Sequence, residues 1–416
     1  MAKRKKAEVE EVVTKEEPLA KRQQALDALF ASLSQQDGIV AGRPTVSQAV
    51  KDRLTFKFLK TPIPELNEAV GGGIPVGKMT LVAGNPDSGK TGFCLSTIGY
   101  QMKHNPNFVA LWVESEDSLD VEKAAKLYGL DLDRFYSIST TDPKTKSQKY
   151  GAEAIGNSII AAIKSTKIDM VVINSLKMLV PMAESNKTLD ENSVAEQARF
   201  NSKFVKKIIP LIAQKDTALT IVQHYTTSMA AGPYANPNII AGGKAIRYNN
   251  MVTLEFSSVS LQDSDPVKRG EGMKIHVRVT KNHCVIDRNP NVDFYYYIEY
   301  GKGIERYVTT MNQLIEKGIL TTAGAWIYLL DADGNKDPNM SWCGKTKFKE
   351  DMEANPTKFD TLCALLDGIT GAVNDMSEEE IKEIEEQEAA LDAEMEEAGV
   401  EKADAEKKAE ESSDAA

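Results

Sequence analysis

The chain has 416 residues, 42% hydrophobic and 27% charged, which is room for two to three domains with a sizeable core. No apolar run reaches the roughly 18 residues that a membrane-spanning helix needs, and an acidic stretch follows the basic start where a secretion signal needs apolar residues. The net charge of −11 hides an uneven split: residues 375–416 carry 18 acids and 4 lysines, net −14, whereas residues 1–374 carry 43 acids and 46 bases, net +3. A near-neutral body with an acidic tail is compatible with a nucleic-acid partner, as a uniformly acidic body is not. Cys94, Cys284, Cys343 and Cys363 are widely spaced, with no Cys/His cluster. That excludes a zinc module and a disulfide scaffold and fits reduced thiols in a cytosol.

In chain order, residues 1–17 are charged and poor in apolar groups, so disorder is expected there. Pro18 opens a helical pattern over 18–50 in which Leu26, Leu29, Phe30 and Leu33 share one face. That face packs on its own domain or docks onto a neighbouring subunit. From 51 to 310 β-rich runs alternate with helical stretches, the runs being 79–83, 108–113, 168–173, 219–223, 251–256, 275–280 and 294–300. The first four are continuously apolar, as in strands buried on both faces of a parallel sheet, and the later three alternate as antiparallel strands do. The pattern predicts an α/β fold with a mixed, mainly parallel sheet. A small module is expected over 311–372, with two helical pieces around the turn-rich stretch 331–336. Residues 373–416 form a Glu/Ala/Lys-rich tail, mostly solvated.

The chemistry starts at Gly84, Asn85, Pro86, Asp87, Ser88, Gly89, Lys90 and Thr91, a G-x-x-x-x-G-K-[ST] loop lying between a strand and a helical stretch. Its backbone N–H groups suit phosphates, Lys90 suits the β- and γ-phosphates, and the Thr91 hydroxyl suits Mg²⁺. Hydrolysis also needs a group that orients water. The run 114–117 ends the second strand and offers carboxylates, of which Glu116 is the candidate. The third strand has the build of a Walker B strand but ends in Asn174, where an Asp is expected. A neutral amide can still hydrogen-bond a magnesium-bound water, without adding charge. The fourth strand ends in His224, a candidate γ-phosphate sensor, and opens a Gly/Pro/Asn-rich run (225–243) read as an unstructured functional loop.

These residues, with their surroundings, resemble the RecA family of homologous-recombination ATPases over about 18–370, followed by a similar acidic tail. The likeness lies in Gly71–Lys78 before the loop strand, Glu114–Asp120, Lys126–Asp133, the Gly-Gly-Lys-Ala-Ile-Arg-Tyr run from Gly242, and Ala323-Gly324-Ala325-Trp326. The resemblance implies a RecA-type P-loop core binding ATP and Mg²⁺, an N-terminal oligomerisation helix, and a small α+β C-terminal domain that gathers DNA. It implies a helical filament on single-stranded DNA that pairs with homologous duplex, with an ssDNA-binding protein and a mediator as further partners, in the cytoplasm of a bacterium or a phage-infected host. It further implies that Glu116 is catalytic, that Asp120 contacts adenine, and that DNA loops fall near 181–193 and 225–243. Lys281 and His283 would reach a neighbouring subunit's ATP. In the second loop Tyr225 and Tyr234 can stack on bases and Met229 can wedge between them. Backbone amides of Gly232, Gly242 and Gly243 can approach phosphates, and Lys244 and Arg247 add cations. Lys345, Lys347, Lys349 and Lys358 form a duplex-gathering patch or merely a solvated face.

The chain departs from the family at Asn174, at His224 (as UvsX-type phage recombinases do), at His283 in place of a lysine, and at Lys123 in place of an aromatic on adenine. Two rival readings stand beside the recombinase. A replicative helicase shares the core but normally lacks the Ala-Gly-Ala-Trp module, and Asn174 keeps open a filament protein that coats ssDNA, binds ATP as a switch and hydrolyses it little.

Overall fold

The computed structural model describes residues 56–140, 151–182, 194–227, 238–263, 265–285, 292–331 and 334–372. The expected N-terminal segments 1–17 and 18–50, nearly all of the first DNA loop, and the tail lie outside these residues. Contacts divide the chain into Met1–Thr55 and Phe56–Ala416, and everything below concerns the second unit.

That unit opens with β1 (Phe58–Leu59), α1 (Pro64–Val70) and β2 (Ile74–Pro75), and then enters the core. The core runs β3 (Met79–Gly84), α2 (Lys90–His104), β4 (Ala110–Glu114), α3 (Val121–Tyr128), β5 (Phe135–Ser139), α4 (Ala152–Ser165), β6 (Met170–Asn174), α5 (Val194–Lys215) and β7 (Ala218–Gln223). It continues with β8 (Tyr225–Thr227), β9 (Asn238–Ile240), α6 (Gly243–Asn249), β10 (Val252–Val259), β11 (Gly272–Asn282), β12 (Val292–Glu299) and β13 (Gly303–Glu305). The last part is α7 (Tyr307–Glu316), β14 (Leu320–Ala323), β15 (Trp326–Leu330), β16 (Lys336–Cys343), α8 (Gly344–Ala354) and α9 (Pro356–Ala372).

Nine strands form the central sheet in the order β13-β12-β11-β10-β3-β7-β6-β4-β5. From β10 to β5 every pairing is parallel, and β10 to β13 pair antiparallel. The sheet is mixed and mainly parallel, as the strand patterns predict. Strands β3, β4, β6 and β7 are buried along their whole length because crossover helices cover both faces. One face packs Phe93, Ile98, Trp112, Phe256 and Tyr296; the other packs Ile155, Ile159, Phe204, Ile208 and Ile221.

The polar run after His224 is not wholly irregular. Tyr225–Thr227 pairs antiparallel with Asn238–Ile240, because Thr226, Thr227, Ile239 and Ile240 are β-branched and tolerate a ribbon. The C-terminal module also differs from expectation. Strands β15 and β16, not helices, flank the stretch 331–336, and the Trp-Ile-Tyr-Leu-Leu run of β15 explains why. Helices α7, α8 and α9 pack on this three-stranded sheet around Trp342, Phe348, Phe359 and Leu362.

Candidate functional site

Central strands β3, β4, β6 and β7 run parallel, so their carboxyl ends lie together, and there an open α/β sheet forms its ligand crevice. Strand β3 delivers the chain into the loop Gly84–Thr91. A Cβ on Gly84 would lie 2.3 Å from the Phe256 carbonyl oxygen, so only glycine lets the loop turn this close to β10. Gly89 has φ of 85° and caps the first turn of α2, whose free N–H groups face the crevice. Lys90 is buried. Its ammonium donates to the Asn85 carbonyl at 2.5 Å and to Ser88 Oγ at 3.3 Å. Burial holds its pKa below the ordinary lysine value, and Glu116 and Asp87 pull the other way.

The crevice is lined by the loop, Thr91, Glu116, Asn174 and His224. His224 Nε2 lies 3.0 Å from Glu116 Oε1, so the sensor candidate holds the catalytic candidate directly. Asn174 is buried, and its Oδ1 has no hydrogen-bond partner. An orphaned acceptor on a residue that lines the same crevice as Thr91 fits the water shell of Mg²⁺, which favours oxygen donors and keeps several of its waters. Glu114 is not part of a solvated acidic loop. It ends β4, is buried, and accepts from Trp112 Nε1 (2.9 Å), the Glu116 backbone N–H (2.8 Å) and Asn174 Nδ2 (3.3 Å).

Two tyrosines without an assigned role in the motifs complete the outer end. Tyr128 and Tyr300, with Leu127, Met273 and Ile298, give flat apolar surfaces suited to a purine ring. No contiguous pattern marks them, since they come from α3, β11, β12 and the turn after β12. Asp120, by contrast, caps α3 by accepting from the Lys123 backbone N–H at 3.1 Å, and it pairs with the Lys123 ammonium at 2.8 Å. Among the described residues it does not line the crevice.

The remaining candidates lie elsewhere. Lys281 donates to the carbonyls of Arg247 (3.3 Å) and Tyr248 (3.1 Å) and to Asn250 Oδ1 (3.1 Å), at the carboxyl end of α6. Burial lowers its pKa. His283 is exposed, and neither residue lines this chain's own crevice. Gly242 and Gly243 are left-handed at the start of α6, with Lys244 exposed and Arg247 half-buried. The Tyr225 hydroxyl donates to Glu255 Oε2 at 2.7 Å, which fixes its ring at the base of the β8–β9 ribbon. Met229, Gly232 and Tyr234 lie outside the described residues.

The lysine patch is largely spoken for. Lys349 is bound to Glu299 and lies 3.8 Å from Glu305; Lys358 pairs with Asp351 at 2.5 Å and Lys347 with Glu350 at 2.6 Å. Lys347 and Lys358 meet acids of their own module and Lys349 meets acids of strands β12 and β13, so Lys345 is the exposed member for which no such pairing is found among the described residues.

A phosphate loop on β3, a lysine inside it and a carboxylate just past the end of β4 define a P-loop nucleotide-binding protein; β4 is not the neighbour of β3 that its place as second strand suggests, since β7 and β6 lie between them. The family model for the RecA N-terminal domain matches residues 36–305. Protein RecA of Aquifex pyrophilus is 29% identical over 314 residues, covering 74% of this chain and 83% of that protein. Protein RecA of Aquifex aeolicus is 27% identical over 350 residues, covering 83% and 92%, and that of Fusobacterium nucleatum is 27% identical over 309 residues, covering 74% and 75%. The chain belongs to the RecA family of ATP-dependent DNA recombinases. Among the described residues no helix is long and apolar enough to cross a membrane.

Proposed function

We propose that this chain assembles as a helical filament on single-stranded DNA and uses ATP with Mg²⁺ to pair that strand with homologous duplex. The observation that carries the reading is the meeting of Lys90, Glu116, Asn174 and His224 in one crevice from four separate segments. In this reading the loop amides and Lys90 bind the triphosphate, while Thr91 and Asn174 offer oxygens to the hydrated metal. Glu116 orients the attacking water. His224 ties Glu116 to the β8–β9 ribbon, so a strand bound at the ribbon and at Lys244 and Arg247 moves the group that positions water. Lys281 and His283 reach the crevice of the next subunit, where a cation supplied in trans stabilises the transferring phosphoryl group. Residues 311–372 gather duplex, the acidic tail competes for their cations, and an ssDNA-binding protein and a mediator act before assembly.

The test is ssDNA-stimulated ATP turnover measured alongside joint-molecule formation between homologous DNAs. Both activities are expected in the full chain, and Lys90→Ala is expected to lose both. Stimulated turnover without joint molecules would indicate a helicase-like motor. Joint molecules from folded Lys90→Ala would overturn the assignment of the phosphate site.

A further inference from the structure

Glu114 has no role in the reading above, yet it has the most elaborate surroundings of the described acids at the crevice. It does not line the crevice. Its register partner across the parallel β4–β6 pair is Asn174, and the two strand ends are stitched together on either side. The Ser115 backbone N–H donates to the Asn174 carbonyl at 2.8 Å, the Ser115 hydroxyl donates to the Ser175 carbonyl at 2.7 Å, and the Ser175 N–H donates back to that hydroxyl at 2.9 Å.

Two of the three groups on the Glu114 carboxylate, the Trp112 indole N–H and the Glu116 backbone N–H, can only donate. The third, the Asn174 amide, can present either end. An acceptor-only carboxylate admits only its nitrogen, and this sends Oδ1 to the far side of the amide. There Oδ1 is buried without a partner, on a residue that lines the crevice. An aspartate at 174 would instead set carboxylate against carboxylate at this spot, where the present separation is 3.3 Å. The amide at 174 thus complements Glu114, and the cross-strand pair carries one carboxylate rather than two.

We infer that Glu114 is a positioning residue of the ATPase, one that fixes the polarity of the Asn174 amide and the backbone of Glu116. The inference rests on the proposed nucleotide site and assigns Glu114 no contact with substrate. Glutamine at 114 cannot accept from all three donors. Its amide must turn a donor toward Asn174, toward Trp112 or toward Glu116, and either Asn174 or the Glu116 loop then loses its orientation.

The experiment uses full-length protein and three variants, Glu114→Gln, Asn174→Asp and the two combined. It reads ATP binding as a function of Mg²⁺ concentration and, separately, kcat and KM of ssDNA-dependent turnover. Loss of a group that orients another is expected to cost about tenfold. Glu114→Gln should raise the Mg²⁺ needed for half-maximal ATP binding and lower kcat by about that factor, with KM at saturating Mg²⁺ little changed. Asn174→Asp should lose more. The double variant restores a donor–acceptor pair between 114 and 174, so it should recover part of the Asn174→Asp loss; independent sites would add instead. An unchanged Mg²⁺ requirement together with an unchanged kcat in Glu114→Gln, or additive losses in the double variant, overturns the inference. If Glu114→Gln does not fold, Asn174→Asp is compared with Asn174→Ala. The like-charge contact arises only in the former, which must be the more impaired, and equal impairment overturns the inference. Lys90→Ala, run in parallel, separates the two failures. If it binds ATP normally, the proposed site itself is wrong; if it is dead while Glu114→Gln is neutral, only the role of Glu114 is wrong.

Discussion

Glu114 and Glu65 both withdraw carboxylate oxygens from water, and their surroundings are opposite. Glu114 meets three hydrogen-bond donors. Glu65, on α1 at the seam with the C-terminal module, has an oxygen buried without a partner and lies near Glu316, Glu68 and Glu305. Burial, reinforced by these like charges, pushes its carboxyl up to about 8. Lysines answer the neighbouring acids of the seam instead: Lys317 binds Glu68, and Lys349 binds Glu299 and approaches Glu305. Donors make a buried carboxylate a fixed tool, whereas burial without a donor, reinforced by neighbouring acids, makes one a proton holder. The strand ends are built for positioning and the seam for adhesion that depends on pH.

The comparison breaks most visibly at Glu116. Glu116→Gln should retain ATP binding and slow hydrolysis at least about tenfold, or 1.4 kcal/mol in barrier, in a single-turnover assay; unchanged turnover would shift the role to another carboxylate. At the seam, Lys349→Ala leaves the buried Glu305 without its nearby lysine and Glu299 with Lys302 alone. It should cost about 2 kcal/mol in denaturant unfolding, less than breaking a fully buried pair, and retention of full stability would show that these acids are held by other means.

The pH dependence of stability sharpens the contrast. A carboxyl whose folded pKa is raised binds its proton more tightly in the folded chain than in the unfolded one. Stability therefore falls as pH rises from the ordinary value of 4.5 toward about 8. Glu65→Gln should flatten melting temperature across that window and raise it at the alkaline end. A slope identical to that of the unaltered protein would mean that Glu65 is ionised in the fold. The smallest effect is expected at Lys345: Lys345→Ala should leave stability within about 0.5 kcal/mol, as surface changes do. It should weaken duplex binding at low salt only, which a salt titration checks.

Much of the core is legible in the sequence because burial on both faces leaves strands such as 79–83 and 170–173 almost continuously apolar, and the phosphate loop is contiguous. Phe135–Ser139 is not legible. As an edge strand it has neither a continuous apolar run nor a clean alternation, and Tyr136 is exposed. Nor are the cross-strand pairs, since Glu114 meets Asn174 across 60 positions and Glu116 meets His224 across 108. Such contacts depend on sheet order, which no local pattern carries. The same holds for Tyr300, which reaches the crevice only because β12 turns back beside it.

The central claim is that the strand-end side chains form one linked device between DNA and ATP, and the His224–Glu116 contact is its most exposed joint. The direct measurement is ATP turnover of His224→Ala with and without ssDNA, alongside its ATP affinity. ATP binding should persist while the acceleration by ssDNA is lost. If ssDNA still accelerates turnover in His224→Ala as it does in the unaltered protein, the contact carries no signal and the account is contradicted.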